Sequence, residues 1–148
     1  MSSIDWALDA ASRITGTFAV ALIDYESGLT LGARGGSPGF DLDVAAAGNT
    51  ELVRTELDVL ARLGIQDPID DILITLSAQY HVIRPVASRD GETLFFHLAL
   101  NRAQANLAMA RRDLRMIVDH FYDGAPRSAV VTDAGEPGSV PHAATRTA

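Results

Sequence analysis

Residues 41–64, DLDVAAAGNTELVRTELDVLARLG, and residues 70–77, DDILITLS, decide the fold of this chain. At about 100° per residue the first stretch gathers Leu42, Ala45, Leu52, Val53, Leu57, Val59, Leu60 and Leu63 on one broad helical face. Asp43, Glu51, Arg54, Asp58 and Arg62 fall on the other. That apolar arc spans roughly half the circumference, wider than one packing surface requires. Two polar residues, Asn49 and Glu56, sit within it. A sealed core is costly for an unpaired carboxylate, so Glu56 either lies at the margin of a contact or reaches solvent along its stem. The helix is therefore expected to cover its own sheet and also to meet a second protein. The second stretch is a short apolar strand built on Ile72, Ile74 and Leu76.

Working outward, residues 4–14 read as a first helix capped by Ser2 or Ser3, ended by Thr15-Gly16. TFAVALID (17–24) is apolar on both faces, with Phe18, Val20 and Leu22 on one and Ala19, Ala21 and Ile23 on the other, as in a central covered strand. Tyr25-Glu26-Ser27-Gly28 turns it into LTLGAR (29–34), with Leu29, Leu31 and Ala33 expected inward. The glycine-rich run 35–39 lacks the Lys and the spacing of a phosphate loop and reads as a connector. YHVIRPVAS (80–88) and TLFFHLALN (93–101) flank a hairpin at Arg89-Asp90-Gly91, and Pro85 is expected near a strand end. A last helix is expected from about Asn101 to Phe121, and from Asp123 periodicity gives way to a polar tail that reads as disordered. The expected division is a domain over 1–122 and a tail over 123–148.

This αββαβββα order predicts an α+β fold with a five-stranded antiparallel sheet. Hairpins keep strands 1–2 and 3–4–5 adjacent, and the two most two-sidedly apolar strands, 1 and 5, should meet at the centre. The spatial order is then 2-1-5-4-3, with helices 1 and 3 on one face and helix 2 on the other. Strand 3 lies at an edge guarded only by Asp70 and Asp71, and the economical cover is a second copy about a two-fold axis.

Composition removes several chemistries. There is no cysteine, and all 12 residues counted as Lys or Arg are Arg. Thiol catalysis, thiolate metal sites, a Walker loop and a Schiff-base lysine are thereby excluded. A net charge of −7 argues against nucleic acid or anionic lipid as a partner. Abundant Ala, Arg, Asp and Gly without Lys is the usage of a GC-rich bacterial genome. Neither a basic-then-apolar leader nor a bilayer-length apolar run is found, so a cytoplasmic location is expected. His81, His97, His120 and His142 lack metal-ligand spacing; His81 and His97 lie on strands and can face one another, with satisfied strand histidines the simpler account. Asp67, Asp70 and Asp71 do not fit a calcium loop and suit turn and edge chemistry. Arg34, Arg54 and Arg62 can be considered as fingers toward a nucleotide, but a solvated helix face already accounts for Arg54 and Arg62. No cofactor and no catalytic residue is expected.

Two segments carry a resemblance. ITGTFAVALIDYESGLTLGARGG (14–36) and LALNRAQANLAMARRDLR (98–115), with Asn106-Leu107-Ala108 inside the second, resemble the Roadblock, or dynein light-chain-like, family, including its bacterial MglB type. The turn Tyr25-Glu26-Ser27-Gly28 departs from the Asp-Gly that often closes this hairpin, and Pro85 departs as well. The resemblance implies a homodimer, or a dimer with a related Roadblock protein, joined through strand 3 and helix 2. It also implies binding to a Ras-like small GTPase as scaffold or activating protein, and in actinobacteria the company of a sensor-kinase-like protein. The interface residues expected on this basis are Asn49, Leu52, Val53, Glu56, Leu57, Leu60, Ile72, Ile74 and Leu76, and a Leu57→Asp change is expected to break the pair. The alternative is a PAS- or GAF-like small-molecule sensor, which would hold a cavity of several hundred Å³ between sheet and helix.

Overall fold

The computed structural model describes residues 2–123. Helix α1 (Ser3–Ser12) is followed by β1 (Thr17–Asp24), β2 (Thr30–Gly35), α2 (Leu42–Arg62), β3 (Ile72–Thr75), β4 (Gln79–Pro85), β5 (Leu94–Asn101) and α3 (Leu107–Asp119). The strands form one antiparallel sheet in the order β2-β1-β5-β4-β3, as the sequence predicts. The expected tail, apart from Asp123, lies outside the described residues.

The two faces of the sheet are covered unequally. Val20, Leu22, Phe96 and Leu98 point toward α1 and α3, meeting Trp6, Leu8, Leu114 and Ile117 in the larger core. Ala21, Ile23, Ile83 and Phe95 point the other way, against Ala46 and Val53 of α2. The alternation of β1 across both cores is the two-sided pattern of its sequence carried into packing. Pro85, which has no amide proton, ends β4 opposite Phe95.

Helix ends follow side-chain chemistry. Ser2 accepts from the Asp5 amide, and Asp41 accepts from the amides of Asp43 and Val44, satisfying donors that the first turn leaves free. Asn106 does the same for Met109. This cap starts α3 six residues later than the apolar periodicity suggests. Residues 101–105 form a turn instead, with the Asn101 carbonyl accepting from Gln104 and Ala105. Gly35 holds a φ of 78°, and a Cβ there would run into the Phe18 carbonyl, so glycine is required where β2 leaves the sheet.

One facing differs from expectation. Leu29 and Leu31 are exposed, and only Ala33 of that run reaches the core under α2. β2 is an edge strand beyond the footprint of α2, so its outer residues find no layer to enter.

Candidate interaction surface

Of the 21 residues of α2 only Ala46, Thr50 and Val53 are buried. Leu42 and Leu57 pack partly against the core, whereas Leu52, Val59 and Leu63 are 38%, 39% and 66% exposed. At about 100° per residue they share one flank of the helix, and Leu52 faces β3. Between this flank and the edge strand runs an open groove of about 380 Å³, lined by Leu52, Glu56 and Leu60 on one side and Ile65, Asp67 and Ile72 on the other. β3 pairs with β4 alone, leaving its outer backbone edge unpaired among the described residues. Leu76, just past the strand, is 44% exposed.

The expected interface residues therefore divide. Leu52, Glu56, Leu60 and Ile72 line the groove, and Ile74 packs partly under α2. Val53 is fully buried and belongs to the core, because it sits nearly in line with Ala46 and Thr50 on the helix. Leu57 also packs on that core, so a charge there would test protomer folding as well as pairing. Asn49 turns inward, and its Nδ2 donates to His97 Nδ1 at 3.2 Å.

His97 and His81 do face one another. His97 Nε2 and His81 Nδ1 are 2.9 Å apart, the rings stack with centroids at 5.0 Å, and His81 Nε2 lies 2.7 Å from Gln79 Oε1. Phe40 packs on both rings. With both imidazoles neutral, every bond has one donor: Asn49 to His97, His97 to His81, His81 to Gln79. Burial pushes His97 down to about 4, with His81 adding to the effect, and burial lowers His81 too. Asn49 and Gln79 were not legible as partners, since contact between α2 and two strands has no local signal.

Asp70 and Asp71 do more than guard the edge. Arg111 Nε and Nη2 bind Asp71 at 2.8 and 2.9 Å, and Arg84 Nη2 binds Asp70 at 2.9 Å. The side chain of Arg84 is 8% exposed, with Nη1 4.0 Å from Asp71. These pairs fasten the start of β3 to β4 and α3. Arg34 is held by Asp5 and Asp9 on α1, and Arg62 by Asp58. Among the described residues no group of three or more His, Asp or Glu side chains is placed to hold a metal, and no helix is long and apolar enough to cross a membrane. A second open cleft, of about 420 Å³, lies at the end of the sheet beside Arg84, Pro85 and Tyr122. The helix-covered faces are filled by Leu22, Phe95, Phe96 and Leu98.

No protein-family model and no curated protein matches the sequence. Solved structures do. A Roadblock/LC7 domain from Streptomyces avermitilis superposes with a TM-score of 0.67 at 17% identity, covering 82% of this chain and 97% of that one. MglB of Myxococcus xanthus gives 0.65 at 13% identity, with coverages of 82% and 89%. An MglB with a tetrameric arrangement gives 0.58 at 16%, with coverages of 82% and 93%. Across these distant sequences the architecture is shared, and the chain has the Roadblock fold.

Proposed function

We propose that this chain is a regulatory scaffold that pairs with a second Roadblock-type chain, its own copy or a relative, and binds a Ras-like small GTPase. The carrying observation is the exposed flank of α2, where Leu52, Val59 and Leu63 are exposed and Leu52 lines the groove that leads to the unpaired edge of β3. Exposed apolar side chains beside a free strand edge are a liability in a solitary domain, and a partner related by a two-fold axis covers both at once. The tetrameric arrangement of one structural neighbour supports association between such domains. The GTPase comes from the resemblance of residues 14–36 and 98–115 to the family. Any effect on hydrolysis would come from holding the GTPase's mobile loops in a competent arrangement. A cytoplasmic setting and a link to a sensor-kinase-like protein belong to the same proposal. The space of about 380 Å³ between α2 and β3 is an open groove and not an enclosed cavity, and with the helix-covered faces filled this favours the scaffold over the small-molecule sensor.

The test is a pull-down from native lysate with immobilised full chain, run in parallel with GTP and GDP, followed by single-turnover hydrolysis with the captured GTPase. Recovery of a small GTPase, stronger in one lane, is expected. Recovery of none, with a small metabolite co-purifying instead, would overturn the proposal in favour of the sensor.

A further inference from the structure

On the side of the sheet away from α2, the end of α1 and the first half of α3 border a recess of about 240 Å³. Ile14, Met109 and Ala110 give it apolar walls, and Thr15, Gln104 and Asp113 add polar groups. Asp113 is the unusual member. It stands on the buried face of α3 with Ala110, Leu114 and Ile117, and its side chain is only 3% exposed. Its ion partner is Arg112, the residue before it, whose own side chain is 53% exposed. The hydrogen bonds from that guanidinium, from Nε at 3.3 Å and Nη2 at 3.0 Å, both fall on Oδ1. A half-solvated cation is screened by water and compensates a buried carboxylate poorly. Oδ2 is left to a donor that enters through the recess.

An apolar passage that ends on a carboxylate fits a cation carried on an apolar stem. Size decides between a metabolite and a side chain: pockets for drug-sized ligands begin at about 300 Å³, and this one is smaller. Thr15 and the side-chain amide of Gln104 offer further acceptors in the same recess. A guanidinium, with five donors in a planar fork, uses such a set better than an ammonium does. Met109, 37% exposed, is an unbranched thioether able to pack along the stem. No arginine of this chain lines the recess among the described residues. Two stand next to it in the chain, Arg13 before Ile14 and Arg112 before Asp113, so a wholly basic surface would be repelled. The complementary surface is one arginine with acidic neighbours.

We propose that this recess is a docking site for a protein partner, which inserts an arginine flanked by acidic residues so that its guanidinium reaches Asp113. The site lies across the sheet from the α2–β3 groove, so it stands or falls apart from the pairing proposed above.

The test is an NMR titration of isotopically labelled full chain with the peptide acetyl-Glu-Arg-Glu-amide, set against the same peptide with citrulline in place of arginine. Citrulline keeps the length and shape of the side chain and removes its charge. The arginine peptide should shift the amide signals of Thr15, Gln104, Met109 and Asp113. It should also bind at least about tenfold more tightly than the citrulline peptide. Asp113→Asn, which keeps the side-chain shape, should abolish that preference in a chain whose melting curve shows it folded. Equal affinities of the two peptides for wild type, shifts confined to other surfaces, or no shift at the recess up to roughly 10 mM peptide would each overturn the proposal. The comparison on wild type decides the matter should Asp113→Asn fail to fold.

Discussion

The ring nitrogens of His97 set a pH dependence whose sign can be worked out. In the unfolded chain the imidazole titrates near its ordinary 6.5, whereas in the fold burial holds it near 4. Between those values the unfolded chain takes up the proton first, so stability is complete above about pH 6.5, falls as the pH drops toward 4, and falls no further from this group below it. The loss is up to about 3 kcal/mol. His81, lowered in the same direction, adds to it. Asp24, held below 3.8 by Thr93 and the Glu26 amide, weakens the fold only at lower pH, where its carboxylate takes up a proton. Urea denaturation of wild type at pH 7, 5.5 and 4 should show this decline. In His97→Phe the decline should be much shallower, on a lower baseline, because Asn49 and His81 lose their partner. This array was half legible: the two histidines occupy strands that pair in register, Ile83 opposite His97 and His81 opposite Ala99, so their neighbourhood follows from topology. Asn49 read instead as a polar residue on a binding face. Helical periodicity gives its angle but not which flank of a broad apolar arc meets the sheet.

At the scale of the element, α2 separates folding from pairing. Val53→Asp places a charge in the core and should unfold the protomer, a cost of several kcal/mol. Leu52→Asp acts on the exposed flank and should leave the melting temperature of a dilute sample within a few degrees of wild type while abolishing any association. Light scattering and thermal melts on the two variants check this contrast; association persisting in Leu52→Asp would place the contact elsewhere. α3 offers a third case. Its Arg111 binds Asp71, whose side chain is 6% exposed, in a bidentate pair. Arg111→Ala leaves that carboxylate with Arg84 alone and should cost about 1–3 kcal/mol in urea denaturation. The sequence placed both partners on the correct elements, but it could not join them: forty residues separate them, and Asp70 and Asp71 are equally plausible as turn residues.

For the whole molecule, the order of elements was nearly sufficient. Hairpin adjacency and the two-sided apolar character of residues 17–24 and 93–101 led to the strand order that the structure has. What failed was local. Leu29 and Leu31 looked inward because alternation assumes a covering layer, and at the β2 edge α2 does not extend far enough. The two sheet edges are managed differently as a result. β2 is buttressed by α1 through Arg34, Asp5 and Asp9, whereas β3 has no layer on its outer side among the described residues.

The clasp at the start of β3 bears on that bare edge. A strand at the margin of a sheet is ordinarily the one most free to slip, and a slip of one residue would exchange its two faces. Here Asp71 points toward α3, where Arg111 grips it, while Ile72 and Ile74 point under α2. A one-residue slide would drag the carboxylate into the apolar layer, release both guanidinium groups and expose the isoleucines. Slippage is thus blocked at its first step by charge rather than by any covering chain. Whatever joins the free edge meets a ladder whose phase is already set.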